Sequence, residues 1–237
     1  MIELNSFICA DCMDYLPQFP DKYFELAIVD VPYGIGEDGS KNHTRTKLAK
    51  SKDYKGYTGG DLSAPDKKYF NELMRVSKNQ IIWGANHFIS KIPYDSSCWI
   101  VWDKCNGESD FADCELAWTS FHTAVRKITF MWHGMLQGKS LSEGEKAQGN
   151  KRLHEQRIHP NQKPVALYDW ILSKYAKCGD KILDTHVGSA SSLIACYKNG
   201  FDYVGFERDP YYYELANKRL EEYKSQITLF DIGLERK

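Results

Sequence analysis

Two segments far apart in the chain carry side chains able to do chemistry. Asp30-Val31-Pro32-Tyr33 sets a carboxylate, a rigid turn and an aromatic face within four residues. An exocyclic base amine is a poor nucleophile because its lone pair is delocalised into the ring. A carboxylate and a backbone carbonyl that accept its two protons localise that pair. Tyr33 offers a ring on which a base can stack. A base inside a duplex reaches such a pocket only when flipped out. Taken alone, the tetrapeptide also reads as an ordinary strand end followed by a proline turn.

The second segment, Asp184-Thr185-His186-Val187-Gly188-Ser189-Ala190, closes another apolar run. Gly188 and the small Ser189 let backbone approach a ligand closely. Glu207 ends the next apolar run, where an acid can take both hydroxyls of a ribose. Neither GxGxxG nor GxxxxGK[ST] is present, so the pattern suits an adenosine-type cofactor better than a phosphate. It is equally the pattern of a tight strand-to-helix connection with a surface acid. In His159-Pro160-Asn161-Gln162-Lys163-Pro164 the prolines fix a rigid loop, and Lys163 offers a cation to a carboxylate. The same residues can start a helix, with Asn161 as cap and Pro164 near the first turn.

The elements that must position these groups alternate. Strands are expected at 7–10, 24–29, 80–83, 98–102, 115–119, 181–183 and 203–206, and helices at 13–19, 64–76, 165–176, 191–198 and 211–223. Such alternation predicts a mostly parallel sheet with helices on both faces. Asp11, Asp30, Asn86, Asp103, Asp184 and Glu207 all fall at strand ends, where ligands of such sheets bind. Residues 34–60 form a long glycine- and charge-rich loop, and 134–160 are irregular and basic.

The chain has 237 residues, 42% hydrophobic and 14% aromatic, which indicates a packed core in one domain. No apolar stretch is long enough for a membrane span, and no signal peptide is evident. Seven cysteines suit a reduced, cytoplasmic setting. Cys9-Ala10-Asp11-Cys12 is a lone CxxC, so no metal is expected. The net charge of −1 excludes a uniformly basic surface. Basic residues instead gather in 41–55, with Arg45 and Lys47, and in 146–157, with Arg152 and Arg157. This pattern fits local phosphate contact or simply solvated loops.

In combination these segments resemble the permuted, β-class DNA amino-methyltransferases, over most of the chain. Asp30-Val31-Pro32-Tyr33 resembles their DPPY motif. Trp83 to Asn86, Trp99 to Lys104 and Phe111 to Glu115 are similar to the segments that follow it. His159 to Pro164 resembles HPTQKP, Asp184 to Ser192 resembles DPFAGSGTT, Gly205 to Pro210 resembles GIExDP, and the stretch after it fits YYxxAxxRL. Substrate motif before cofactor motif is the permuted order. The resemblance implies a Rossmann-like methyltransferase fold: an α/β architecture with a seven-stranded, mostly parallel sheet and one reversed strand. It implies S-adenosylmethionine as cofactor, held by Asp11, Cys12, Lys163, Asp184, Gly188, Ser189 and Glu207, with Phe206 and Pro210 flanking the adenine. Asp30, Pro32 and Tyr33 would hold the flipped base. Val31, His186 and Ala190 depart from the motifs at the first Pro, the Phe and the second Gly.

Asp rather than Ser at the first DPPY position resembles adenine-N6 members more than cytosine-N4 ones. The expected function is therefore site-specific adenine-N6 methylation of double-stranded DNA in a bacterial or phage-infected cell. Alternatives are cytosine N4, an RNA or protein amide, or a degenerate binding relative. Target recognition is placed in residues 121–158, assisted by a mobile 34–60 loop, with Arg45, Lys47, Arg126, Arg152 and Arg157 as DNA contacts. A homodimer follows by family analogy. Gln226-Ile227-Thr228-Leu229-Phe230 resembles the peptide that docks on the polymerase sliding clamp through Gln226, Leu229 and Phe230; it reads equally as a last strand.

Overall fold

The computed structural model describes residues 2–37, 54–56, 61–107 and 112–234, with side chains as far as Gln226. In chain order the strands and helices are β1 (Ser6–Cys9), β2 (Phe24–Val29), α1 (Lys67–Val76), β3 (Ser77–Trp83), β4 (Trp99–Asp103), β5 (Cys114–Thr119), β6 (Arg126–Thr129), β7 (Trp132–His133), β8 (Leu136–Gln137), α2 (Val165–Tyr175), β9 (Lys181–Asp184), α3 (Ser191–Lys198), β10 (Asp202–Glu207) and α4 (Pro210–Leu234).

The main sheet runs β1-β10-β9-β2-β3-β5-β4-β6. Every pairing is parallel except the two made by β5, which is the single reversed strand. Among the described residues the main sheet has eight strands where seven were expected. The eighth is β6, whose Arg126–Thr129 backbone pairs with the outer edge of β4. β2 lies beside β9, with Ala27 opposite Leu183. That one pairing brings the Asp30 and Asp184 segments together despite their separation in sequence.

Side chains alternate across the pleat and feed two cores. Leu26, Ile28, Ile81, Trp83, Ile100 and Trp102 face α2, α3 and α4 on one side. Ala27, Val29, Ile82, Leu183, Val204 and Phe206 face α1 and the β1–β2 connection on the other. In α1, Asp66 caps the N-terminus by accepting from Tyr69 N at 3.0 Å, and Tyr69, Phe70, Leu73, Met74 and Val76 make the buried stripe.

Three expectations change. Residues 13–19 do not form one helix but two 3-10 turns, Cys12–Asp14 and Leu16–Gln18. Pro17 lacks a backbone donor, so it cannot continue a helix begun at Cys12 but is tolerated in the first turn of a new one. Residues 134–160 contain β8, which pairs with β7 just before them in a small hairpin, and further 3-10 turns at Leu141–Glu143 and Lys151–Leu153. Helix α4 continues past Tyr223 to Leu234, so residues 226–230 are helical rather than a last strand. Among the described residues no helix is long and apolar enough to cross a membrane.

Arg219 ties α4 to the loop before α3. Its guanidinium donates to Ser189 O at 2.6 Å and Ser191 Oγ at 2.9 Å, and pairs with Glu155 at 2.8 Å. Glu155 in turn accepts from Val165 N at the start of α2, where a carboxylate suits the helix dipole. Both side chains are largely buried. Arg219→Met should therefore lower the unfolding free energy by about 3 kcal/mol, because it leaves Glu155 charged and unpaired. Urea unfolding checks this, and adding Glu155→Gln should recover part of the loss.

Candidate active site

The site lies along the rim formed by the carboxyl ends of β1, β10, β9, β2 and β3, with β5 reaching it in the opposite direction. On its substrate half, Asp30 follows β2. Tyr33 Oη donates to Asp30 Oδ1 at 2.8 Å, and Lys163 Nζ donates to Asp30 Oδ2 at 2.6 Å and to Tyr33 Oη at 3.1 Å. Lys163 also lies 3.1 Å from Glu115 Oε2 on β5, and Lys104 pairs with the other Glu115 oxygen at 2.8 Å. Only 5% of the Lys163 side chain is exposed. Burial works against its charge, yet Asp30 and Glu115 raise its pKa above the ordinary lysine value. Burial raises Asp30 above the usual carboxylate range, against the pull of Lys163. Burial and the Asp30 charge raise Tyr33 far above an ordinary phenol, so it stays a donor.

The Tyr33 ring depends on a glycine. Gly84 has φ +68°, and a Cβ there would fall 2.1 Å from Tyr33 Cε1. Gly84 N donates to Leu116 O at 2.9 Å, which fixes this turn to β5. His87 stacks on Tyr33 with centroids 5.3 Å apart. Pro32 holds the turn between Asp30 and Tyr33. Val31, where the resembled motif has Pro, packs into the core.

The loop carrying Lys163 is held by its neighbours. Gln162 Oε1 accepts from Ile158 N at 2.9 Å, and Trp132 Nε1 donates to Gln162 O at 2.6 Å. His159 packs edge-on against Tyr212 at 4.4 Å, and burial pushes its pKa down to about 4. Lys163, expected on the cofactor, thus bridges to the substrate-side carboxylate.

On the cofactor half, Gly188 has φ +57°, and a Cβ there would meet nothing nearer than the His159 ring at 4.0 Å. Backbone is open to a ligand at this point. Glu207 Oε2 accepts from Gly188 N and Oε1 from Asp209 N, both at 2.8 Å. Asp11 caps the turn after β1 by accepting from Met13 N at 2.9 Å and lies 3.9 Å from Arg208. Cys12 is buried beside it, its thiol pushed up to about 12 by burial and by Asp11. Ser189 is buried with its hydroxyl 3.1 Å from Ser191 Oγ. Pro210 is exposed at the start of α4.

Two assignments are corrected on this half. Phe206 is fully buried, its ring 5.6 Å from that of Tyr15. It points away from the rim because Glu207, its neighbour in the pleat, points toward it. Asp184 is buried and already spent on the turn: Oδ1 accepts from His186 N at 2.9 Å and Oδ2 from Ser192 Oγ. It shapes the ligand loop rather than offering a free carboxylate.

Of the expected DNA contacts, Arg152 is exposed in the turn Lys151–Leu153. Arg157 is largely buried, its guanidinium 4.2 Å above the Trp132 ring. Arg126 opposes Ile100 at the start of β6 and β4, on the far rim of the sheet. A cation there serves no ligand bound at the carboxyl ends. Arg45 and Lys47 lie outside the described residues.

Sequence reasoning missed Glu115, Lys104 and Asp61. The Asp61 carboxylate gathers Gly34 N at 2.7 Å, Ile35 N at 3.1 Å and Glu37 N at 3.2 Å. It joins the two ends of the long loop directly after Tyr33. Its position just after Gly59-Gly60 was the only available signal.

Residues 92–218, more than half of the chain, match the model of the N6/N4 DNA methylase family. The chain belongs to that family and is a DNA methyltransferase. It is 24% identical over 250 aligned residues to the Type II methyltransferase M.HinfI of Haemophilus influenzae, covering 93% of this chain and 69% of that protein. It is 24% identical over 243 residues to the Type II methyltransferase M2.MboI of Moraxella bovis, covering 90% and 86%. The crystal structure of the M1.HpyAVI–SAM complex superposes with a TM-score of 0.51 at 18% identity, over 90% of this chain and 98% of that one.

Burial pushes the Asp184 carboxyl up to about 7, with the Asp30 and Glu207 charges adding to it. An acid raised in the folded state stabilises the fold below its unfolded value, near 4, and loses that contribution as pH rises through about 7. Between roughly pH 4 and pH 7 the wild type should therefore lose stability relative to Asp184→Asn, which is permanently neutral. Thermal melts of both proteins across that range check the sign.

Proposed function

We propose that the protein is an S-adenosylmethionine-dependent, site-specific DNA adenine-N6 methyltransferase. The observation that carries this reading is the arrangement of Asp30, Tyr33 and Lys163 at the end of β2, beside the Gly188–Glu207 half. The donor set suits the cofactor. Glu207 can take ribose hydroxyls, the open backbone at Gly188 admits close approach, and carboxylates on one rim favour a cation. When bound, S-adenosylmethionine supplies an electrophilic methyl group on a sulfonium.

Asp30 and the neighbouring backbone carbonyl accept the two protons of the flipped-out amine and localise its lone pair. Tyr33, kept protonated, holds Asp30 in place and presents a ring to the base. Once the amine nitrogen has accepted the methyl group, its excess proton would pass to Asp30. A carboxylate raised by burial is a better acceptor for that proton. No cysteine is needed as nucleophile. Much of the rate then comes from positioning two bound reactants.

Asp rather than Ser at position 30 favours adenine over cytosine. Recognition is assigned to residues 121–158, with Arg152 exposed for phosphate or base contact and Arg157 bracing Trp132. The setting is the cytoplasm of a bacterial or phage-infected cell, where unmethylated duplex DNA is the partner. A homodimer and a sliding-clamp contact through Gln226, Leu229 and Phe230 belong to the same reading. The clamp contact requires the end of α4 to unwind, since a docking peptide of this kind is extended.

Incubation with labelled S-adenosylmethionine and unmethylated genomic DNA, followed by nucleoside mass spectrometry, should yield N6-methyldeoxyadenosine. Asp30→Ala should reduce transfer by at least about 100-fold. N4-methyldeoxycytidine as the product would keep the mechanism and overturn the target.

A further inference from the structure

The charges at the substrate half do not stop at Asp30. They alternate outward as Asp30, Lys163, Glu115 and Lys104, linked by contacts of 2.6, 3.1 and 2.8 Å. Glu115 sits on the reversed strand β5, in register with Trp102 of β4. Its inner oxygen is fully buried and lies 3.1 Å from the Lys163 ammonium. Charge attraction is the larger part of that contact, so its strength follows mainly the charges of the two groups.

Building on the assignment of Asp30 as the group that receives the amine protons, we propose that Glu115 is a positioning residue: with Lys104 behind it, it sets how far the Lys163 ammonium is committed to Asp30. Lys163 has two carboxylates to serve. The share of its charge drawn to Glu115 is not available to Asp30, and Asp30 keeps that much more affinity for a proton. Lys104 works in the opposite sense, because it satisfies Glu115 from outside and releases Lys163 toward Asp30. Glu115 is held down to about 2 by Lys163 and Lys104 despite its burial, so it stays charged throughout the working range. The other titratable groups facing Asp30 are Tyr33 beside it, Tyr168 on α2 and Asp184 at the end of β9. None of them is altered in the test below.

The test is the pH dependence of single-turnover methyl transfer to DNA by the wild type, Glu115→Gln and Lys104→Met, each first checked to be folded at the assay temperature. In Glu115→Gln the acidic limb should move down by about one pH unit. Its plateau rate should fall roughly three-fold, as a weaker base predicts. In Lys104→Met the limb should move up. A purely structural role would not shift the two profiles in opposite directions. Superimposable profiles, or shifts of the same sign, overturn the proposal. If Glu115→Gln does not fold, Lys104→Met decides alone, and an unmoved limb overturns it. Absence of transfer by the wild type would instead contradict the function on which the proposal rests.

Discussion

The arrangement depends on one buried ammonium. Lys163 is almost wholly removed from water, and an isolated charge there would cost far more than the fold can supply. It is tolerable because two carboxylates and a phenol converge on it. Asp30 and Tyr33 come from the end of β2, and Glu115 comes from β5. Lys163 itself arrives on a loop braced by Gln162, Trp132 and His159. Three distant parts of the chain are thereby fixed to one point, and that point is the site proposed for the chemistry.

The cofactor half is built differently, mostly from backbone. Glu207 binds two amides, Asp184 holds the turn that follows β9, and Arg219 clamps the next loop to α4 and Glu155. The halves meet because β2 pairs with β9 in the centre of the sheet. A permuted chain order changes none of this. The pairing decides which strand ends are neighbours, and the connections between them only have to span the gap.

Much of this was legible in the sequence, for a definable reason. Polar residues at the carboxyl ends of apolar runs marked Asp30, Asp184 and Glu207, and small residues marked Gly188. The same rule hid Glu115, which lies near the start of a strand. β5 runs backwards, so its beginning is at the active rim, and periodicity does not reveal strand direction. Arg126 was assigned to DNA because it falls in the basic 121–158 stretch, and that assignment could not foresee a strand whose start lies on the far rim. Phe206 was misread because adjacency to Glu207 in sequence means the opposite face in a strand. The extension of α4 through residues 226–230 was obscured because Ile227 and Leu229 alternate as in a strand, while the charge pairs at Lys218–Glu222 and Lys224–Glu221 continue the helical spacing.

The most direct test of the account is a double-mutant cycle between Asp30 and Lys163, using Asp30→Asn and Lys163→Met, read by urea unfolding at neutral pH. If the two side chains are a mutually dependent buried pair, each single variant loses stability and the double variant loses clearly less than the sum. The expected coupling is about 2 kcal/mol or more. Additive losses would mean that the two charges do not depend on each other, and would contradict the view that Lys163 holds the catalytic carboxylate in place.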